Sequence, residues 1–204
     1  MGMPVFILGQ TGTGKSYSMV NFKPEEVALI QVIKQPMPFK GAFKNVYVSD
    51  NWECIKRGIK AAVKSGFKII VIDDFQYLMS NEFMYRASEK GFDKFNDIAF
   101  HAWSVINAAI DTPDDCRVYI LSHTSEDEMG NIKAKTIGKM LDDKITLEGM
   151  FTIVLRTVKI QGEYFFKVQN NGFDTVKSPM GMFEGDKIEN DLAMVDAVIV
   201  DYYK

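Results

Sequence analysis

Gly9-Gln10-Thr11-Gly12-Thr13-Gly14-Lys15-Ser16, entered from the apolar run Val5-Phe6-Ile7-Leu8, is the stretch that decides the fold. An unbroken apolar run of this length suits a strand buried on both faces, as in a parallel sheet covered by helices. The loop after it fits the pattern G-x4-G-K-S. Its glycines let backbone N–H groups close around phosphate oxygens, its lysine reaches the β and γ phosphates, and its serine hydroxyl serves magnesium. A helix starting near Lys15 is expected to add its positive N-terminal end. Gly9, Gln10, Thr11, Gly12, Thr13, Gly14, Lys15, Ser16 and the adjoining Tyr17 are therefore the candidate ligands of a nucleoside triphosphate.

Working outward, Ile69-Ile70-Val71-Ile72-Asp73-Asp74 supplies the other half of such a site. An apolar strand ending in a carboxylate brings Asp73 beside the loop, where it and Ser16 can hold Mg2+ directly or through water. Asp74 admits two readings: a group that orients or deprotonates the attacking water, or a helix cap. Leu121-Ser122-His123-Thr124 is expected to end the next strand. Ligands of open parallel sheets lie beyond the carboxyl ends of the strands. His123 is thus a candidate sensor of the γ-phosphate, against the alternative of a capped loop histidine.

The rest of the chain alternates in the same manner. Val27–Ile33, Asn45–Ser49 and Arg117–Ser122 read as strands, and Trp52–Lys64 and Phe95–Ala109 as amphipathic helices. The last third differs: Phe151–Lys159 and Glu163–Gln169 flank a Gln161-Gly162 turn as an antiparallel hairpin, and Asn190 is expected to cap a final helix. The fold class is α/β, a phosphate-loop NTPase with a mostly parallel sheet flanked by helices, a hairpin extension and a C-terminal helix. One domain over 1–204 is expected, with its core at about 1–125 and the polar loop, hairpin and helix at about 126–204.

The chain has 204 residues, 47% hydrophobic and 25% charged, enough to bury a core without disulfides or a structural metal. A net charge of −3 excludes binding of nucleic acid by bulk charge and leaves room for a local basic patch. Cys54, Cys116, His101 and His123 form no metal-ligand spacing. Ile98–Ile110 is too short to span a bilayer, and no basic leader precedes the first strand, so a cytoplasmic protein without membrane contact is expected. Lys56, Lys60 and Lys64, with Arg57, lie along one helix, either a solvated face or a nucleic-acid track. The polar segment from Glu126 to Lys139 is either a solvated loop or a source of charge, through Lys133 or Lys135, for a neighbouring subunit's γ-phosphate. Aromatic residues Phe39, Phe43 and Tyr47 could stack bases. The scattered Arg57, Arg86, Arg117 and Arg156 do not make the arginine-rich lid of a small-molecule kinase, and no N-K-x-D guanine motif occurs.

The loop Gly9–Ser16, the strand end Asp73-Asp74 and Leu121-Ser122-His123 together resemble the small phage ATPases with a RecA-like core. These form the Sak-type group of single-strand annealing and recombination proteins, phage AAA-type ATP-binding proteins. Lys133-Ala-Lys135-Thr-Ile-Gly138-Lys139, Leu147-Glu-Gly149 and Ser178-Pro-Met-Gly-Met-Phe183 are similar to that group too, so the likeness spans nearly the whole chain. The resemblance implies ATP and Mg2+ as cofactors and ATP hydrolysis in DNA recombination or annealing. It also implies a homo-oligomer on single-stranded DNA, a single-strand-binding protein as a further partner, and the host cytoplasm as its place. Lys133-x-Lys135 is similar to the paired lysine that RecA-like proteins point across a subunit interface. The chain departs from the pattern where such ATPases carry a catalytic Glu after the second strand: Val32-Ile33-Lys34-Gln35 has no carboxylate. Asp74, Asp50 or Glu53 would have to serve instead, or turnover is slow.

Overall fold

The computed structural model describes residues 2–138 and 141–204. Its strands are β1 (Met3–Gly9), β2 (Val27–Gln31), β3 (Asn45–Val48), β4 (Ile69–Asp73), β5 (Arg117–Glu126), β6 (Ile132–Ala134), β7 (Ile153–Ile160), β8 (Glu163–Lys167) and β9 (Lys187–Glu189). The helices are α1 (Trp52–Lys64), α2 (Gln76–Tyr85), α3 (Asp93–Ile110) and α4 (Leu192–Tyr202). The sheet runs β3-β2-β4-β5-β1-β7-β8-β9, with β6 paired to the far end of β5. From β3 to β7 every pairing is parallel; β8 and β9 continue antiparallel. This is the α/β architecture expected from the sequence, a mostly parallel sheet flanked by helices with an antiparallel hairpin.

Two apolar layers sandwich the sheet, and strand alternation sorts residues between them. Phe6, Leu8, Ile70, Ile72, Val118 and Ile120 face α1 and α3 through Ile55, Ile59, Ile98, Ala102 and Ile106. Val5, Ile7, Leu29, Val71, Tyr119 and Leu121 face Met19, Leu192, Val195 and Ile199. Helix α1 forms over its expected residues: the Asn51 side chain accepts from the Cys54 N–H at 3.0 Å, and Ile55, Ile59 and Ala62 are its buried stripe. Burial of each of the two isoleucines is worth about 1.5–3 kcal/mol. No helix among the described residues is long and apolar enough to cross a membrane.

Several expectations need correction. The helix after the phosphate loop is a single tight turn, Ser16–Met19. Pro24 follows closely and excludes helical continuation, and Ser, Tyr and Asn in between are weak helix formers. Strand β5 does not stop at Thr124 but runs to Glu126, because β6 pairs with it antiparallel, Thr124 opposite Ala134. The polar segment is therefore partly a strand; its Lys139 lies outside the described residues. The expected hairpin extends the sheet itself: β7 lies directly beside β1, with Val5 opposite Ile153. Its turn forms as expected, Gln161 and Gly162 both having positive φ (53° and 93°). The cap of α4 is Asp191, which accepts from Ala193 N–H at 2.9 Å and Met194 N–H at 3.2 Å, while Asn190 turns inward. Phe43 is a core residue packed edge-on against Phe39, so it offers no face for stacking.

Candidate nucleotide site

The carboxyl ends of β1, β4 and β5 converge on one cavity of about 770 Å³, a size that suits a nucleotide. Thr11, Gly12, Gly14, Lys15, Ser16 and Tyr17 form one wall, Asp74, Tyr77 and His123 a second, and Ile33 with Gln35 to Pro38 a third, with Tyr164 at the side. The loop turns through Gly14 at φ 97°, which a side-chain-bearing residue adopts only under strain. At Gly9 the constraint is space: a Cβ there would lie 2.0 Å from Thr157 Oγ1 and 2.7 Å from Thr13 Oγ1. Thr13 itself donates to the Gln10 carbonyl at 2.7 Å, with its hydroxyl 2.7 Å from that of Thr157, so it braces the loop from behind. Gln10 and Thr13 line a smaller hollow on that rear side rather than the main cavity.

Lys15 is buried, and its ammonium donates to the carbonyls of Gly9 at 2.8 Å and Gln10 at 2.9 Å. Burial pulls its pKa down to about 8, although Asp74 and Asp73 oppose the shift. The Ser16 hydroxyl donates to Asp73 Oδ1 at 3.0 Å. Asp73 is 1% exposed, and burial, aided by the Asp74 charge, pushes its carboxyl up to about 7 against the pull of Ser16 and Lys15. Its second oxygen, Oδ2, is buried without a partner among the described residues. A hard divalent cation wants such oxygens. A hydroxyl and a dry carboxylate with a spare oxygen, beside a phosphate loop, fit Mg2+.

Asp74 follows in a left-handed conformation, φ 62°, unusual for a residue with a side chain. The Phe75 N–H donating to the Leu121 carbonyl at 2.9 Å fixes this turn onto β5. Gln35 Nε2 donates to Asp74 Oδ2, and His123 Nε2 lies 3.3 Å from Asp74 Oδ1. His123 stands opposite Gly9 in the parallel register, with Tyr77 edge-on at 5.7 Å. The two sequence readings of Asp74 and His123 thus meet in one side-chain pair inside the cavity. Gln35, from the segment where the resemblance expects a catalytic Glu, reaches the same carboxylate. Asp50 is engaged elsewhere, by Asn81 Nδ2 and the Tyr85 hydroxyl, each at 2.8 Å. Glu53 sits exposed in the first turn of α1. Of the three carboxylates, Asp74 is the one that lines the cavity.

Lys133 in β6 and Lys135 just beyond it are exposed and do not line the cavity of their own chain. Sequence reasoning missed Gln35, Tyr77, Tyr164 and the Ile33–Pro38 wall, none of which carries a local motif. Only Pro36 and Pro38, a few residues beyond the end of β2, hint that the chain turns back there.

No family model matches the sequence, and no curated protein matches it significantly. Among solved structures, the chain is similar to a KaiC-like protein from the hyperthermophilic archaeon Pyrococcus horikoshii. The likeness has a TM-score of 0.49 at 14% identity, over 81% of this chain and 77% of that one.

Proposed function

We propose that this chain is a Mg2+-dependent ATPase of the phosphate-loop class, acting as a homo-oligomer on single-stranded DNA in phage recombination or strand annealing. The observation that carries the ATPase reading is the dry Asp73 carboxylate with a spare oxygen, bonded to Ser16 next to Lys15. Lys15 exchanges loop carbonyls for β and γ phosphate oxygens; Ser16 and Asp73 would hold the magnesium, which would supply charge neutralisation on the transferred phosphoryl group. Asp74 orients and deprotonates the attacking water, and His123, touching Asp74, couples that carboxylate to the γ-phosphate.

The DNA reading rests on the resemblance and on local chemistry. Lys56, Lys60 and Lys64 border a groove of about 630 Å³ between α1 and α3 that also holds Phe100 and Trp103. These exposed rings, with Tyr47, replace Phe43 as stacking candidates. Lys133 or Lys135 serves the next subunit's γ-phosphate. A single-strand-binding protein is a further partner in this reading. One observation favours a second reading, a nucleotide-dependent interaction module with slow turnover: Gln35, which cannot act as a base, already occupies Asp74.

Phosphate release measured with and without single-stranded DNA tests the proposal, with stimulation expected; binding of ATP without turnover supports the module. The oligomer is tested by mixing Lys15→Ala with the Lys133→Ala/Lys135→Ala double variant. Mixed interfaces join an intact loop to intact lysines, so activity partly returns; no recovery in a demonstrably mixed assembly contradicts action in trans.

A further inference from the structure

Strand β3 closes one side of the sheet, with β2 as its only strand neighbour among the described residues. Asn45, Val46, Tyr47 and Val48 are all exposed, the last three at 43–44%. Native proteins blunt such edges with a lysine or a proline, and β3 itself has neither. One hydrogen bond fixes which way its backbone faces: the Ser49 N–H donates to the Gln31 carbonyl of β2 at 3.0 Å. Backbone groups alternate in direction along a strand. Tyr47 and Ser49 therefore turn theirs toward β2, while Val46 and Val48 present N–H and C=O outward, where no strand meets them. An edge of this kind is completed by an extended chain.

We propose that the chain completing this edge is β3 of a second copy, in a two-fold antiparallel pair centred on Tyr47. Outward-facing residues must stand opposite outward-facing residues, so the allowed registers differ by two residues. The sequence selects one of them, because Lys44-Asn45-Val46-Tyr47-Val48-Ser49-Asp50 is complementary to its own reverse. With Tyr47 opposite the partner's Tyr47, Val46 faces the partner's Val48, Asn45 the partner's Ser49 and Lys44 the partner's Asp50. A shift of two residues either way sets a charge against a valine instead. In the chosen register each valine pair exchanges both its N–H···O bonds, and the tyrosines form the closer, non-hydrogen-bonded pair. Both charges are available: Lys44 holds Glu25 at 3.5 Å in a weak exposed pair. Asn81 and Tyr85 both bond Asp50 through Oδ2, so Oδ1 can meet the partner's lysine. Beside the strand, Gly58 and Ala61 of α1 leave a groove of about 370 Å³ that Tyr47 and Phe67 also line. Tyr47 lies on this face, 3.2 Å from where a Gly58 Cβ would be, so the partner's Tyr47 projects beside it over the groove. In this dimer Tyr47 is committed to its counterpart, and base stacking falls to Phe100 and Trp103. Strands β2 and β4 separate the contact from β5, so it needs neither nucleotide nor the β6 lysines.

Sedimentation of the full chain without nucleotide or DNA, over about 1–100 μM, tests this. Wild type should pass reversibly from monomer to dimer in that range, since one strand pair is a small interface. Val46→Pro removes an outward N–H and leaves the bonds to β2 in place. It should associate about tenfold or more weakly while keeping the wild-type melting temperature in dilute solution. Lys44→Asp and Asp50→Lys each set like charges opposite one another and should be monomeric alone. Mixed together they match both charge pairs, so a heterodimer should form. Should Asp50→Lys fail to fold, Val46→Pro and Lys44→Asp decide the matter without it. Wild type that stays monomeric overturns the proposal and leaves the edge to an extended segment of another protein. Association undiminished in Val46→Pro or in Lys44→Asp overturns it by placing the contact elsewhere, and so does the absence of a heterodimer between folded charge variants.

Discussion

Strand β5 carries a buried polar cluster at each end, and the two are finished differently. At its start, Arg117 meets both oxygens of Asp196 at 2.8 Å, and the buried Tyr119 hydroxyl donates to Asp196 Oδ1 at 2.6 Å. That cluster ties α4 to the sheet with its charges matched. At the other end, Ser122 Oγ, opposite Leu8, and Asp73 Oδ2 are buried unpaired, and Asn190, against Gly14 of the loop, leaves two more atoms unmet. All the orphaned buried side-chain atoms among the described residues thus gather at the phosphate-loop end. The first cluster is complete without a ligand, whereas the second is stable only at a cost that a ligand can offset.

The comparison can be broken from either side. Asp196→Ala strands a buried guanidinium and should destabilise the fold by about 3–5 kcal/mol, seen in denaturant melts, while ATP affinity of the folded protein holds. A comparable loss of affinity would mean that the two ends are not separable. Asp73→Asn should do the reverse, removing magnesium-dependent binding yet stabilising the ligand-free protein near neutral pH, by on the order of 1–3 kcal/mol. The sign follows from its carboxyl sitting at about 7 rather than 3.8. The folded state binds the extra proton, so the contribution of Asp73 to stability is complete in acid and is lost as pH rises through about 7. Lys15, held at about 8 instead of 10.5, runs the other way, and its penalty lifts as pH rises from about 8 toward 10.5. Melting curves from pH 5 to 9 should therefore separate most between wild type and Asp73→Asn at and above neutrality. The smallest effect belongs to the loop's rear wall: Gly9→Ala presses on Thr157 and should cost about 1–2 kcal/mol, partly recovered by Thr157→Ala.

How much of this was legible in the sequence follows from the range of each interaction. Gly9 to Ser16 is contiguous, so its chemistry could be read without a fold. Asp73 could be read because an apolar strand delivers its terminal carboxylate to the same sheet edge. Helix α2 was invisible because Gln76–Tyr85 has no apolar stripe: Leu78 and Met79 are buried beside a buried Gln76, on two adjoining faces. Strand β6 escaped because three residues, one of them a lysine, carry no periodicity. The helix expected after Lys15 shrinks to one turn because Pro24 bars its continuation, a breaker that outweighs the phosphate-loop pattern. Gln35, Tyr77 and Tyr164 reach the site only through tertiary contacts, and the orphaned amide of Asn190 has no signature until its surroundings are known.

Titration of ATP into wild type and Lys15→Ala, with magnesium and with chelator, is the sharpest test of the proposed nucleotide–magnesium site of Lys15, Ser16 and Asp73. Wild type should bind tightly only with magnesium and release protons near pH 7, as the cation drives the proton from Asp73. Lys15→Ala should neither bind with comparable affinity nor hydrolyse ATP. Equal binding and turnover by wild type and Lys15→Ala would place the site elsewhere and contradict the account.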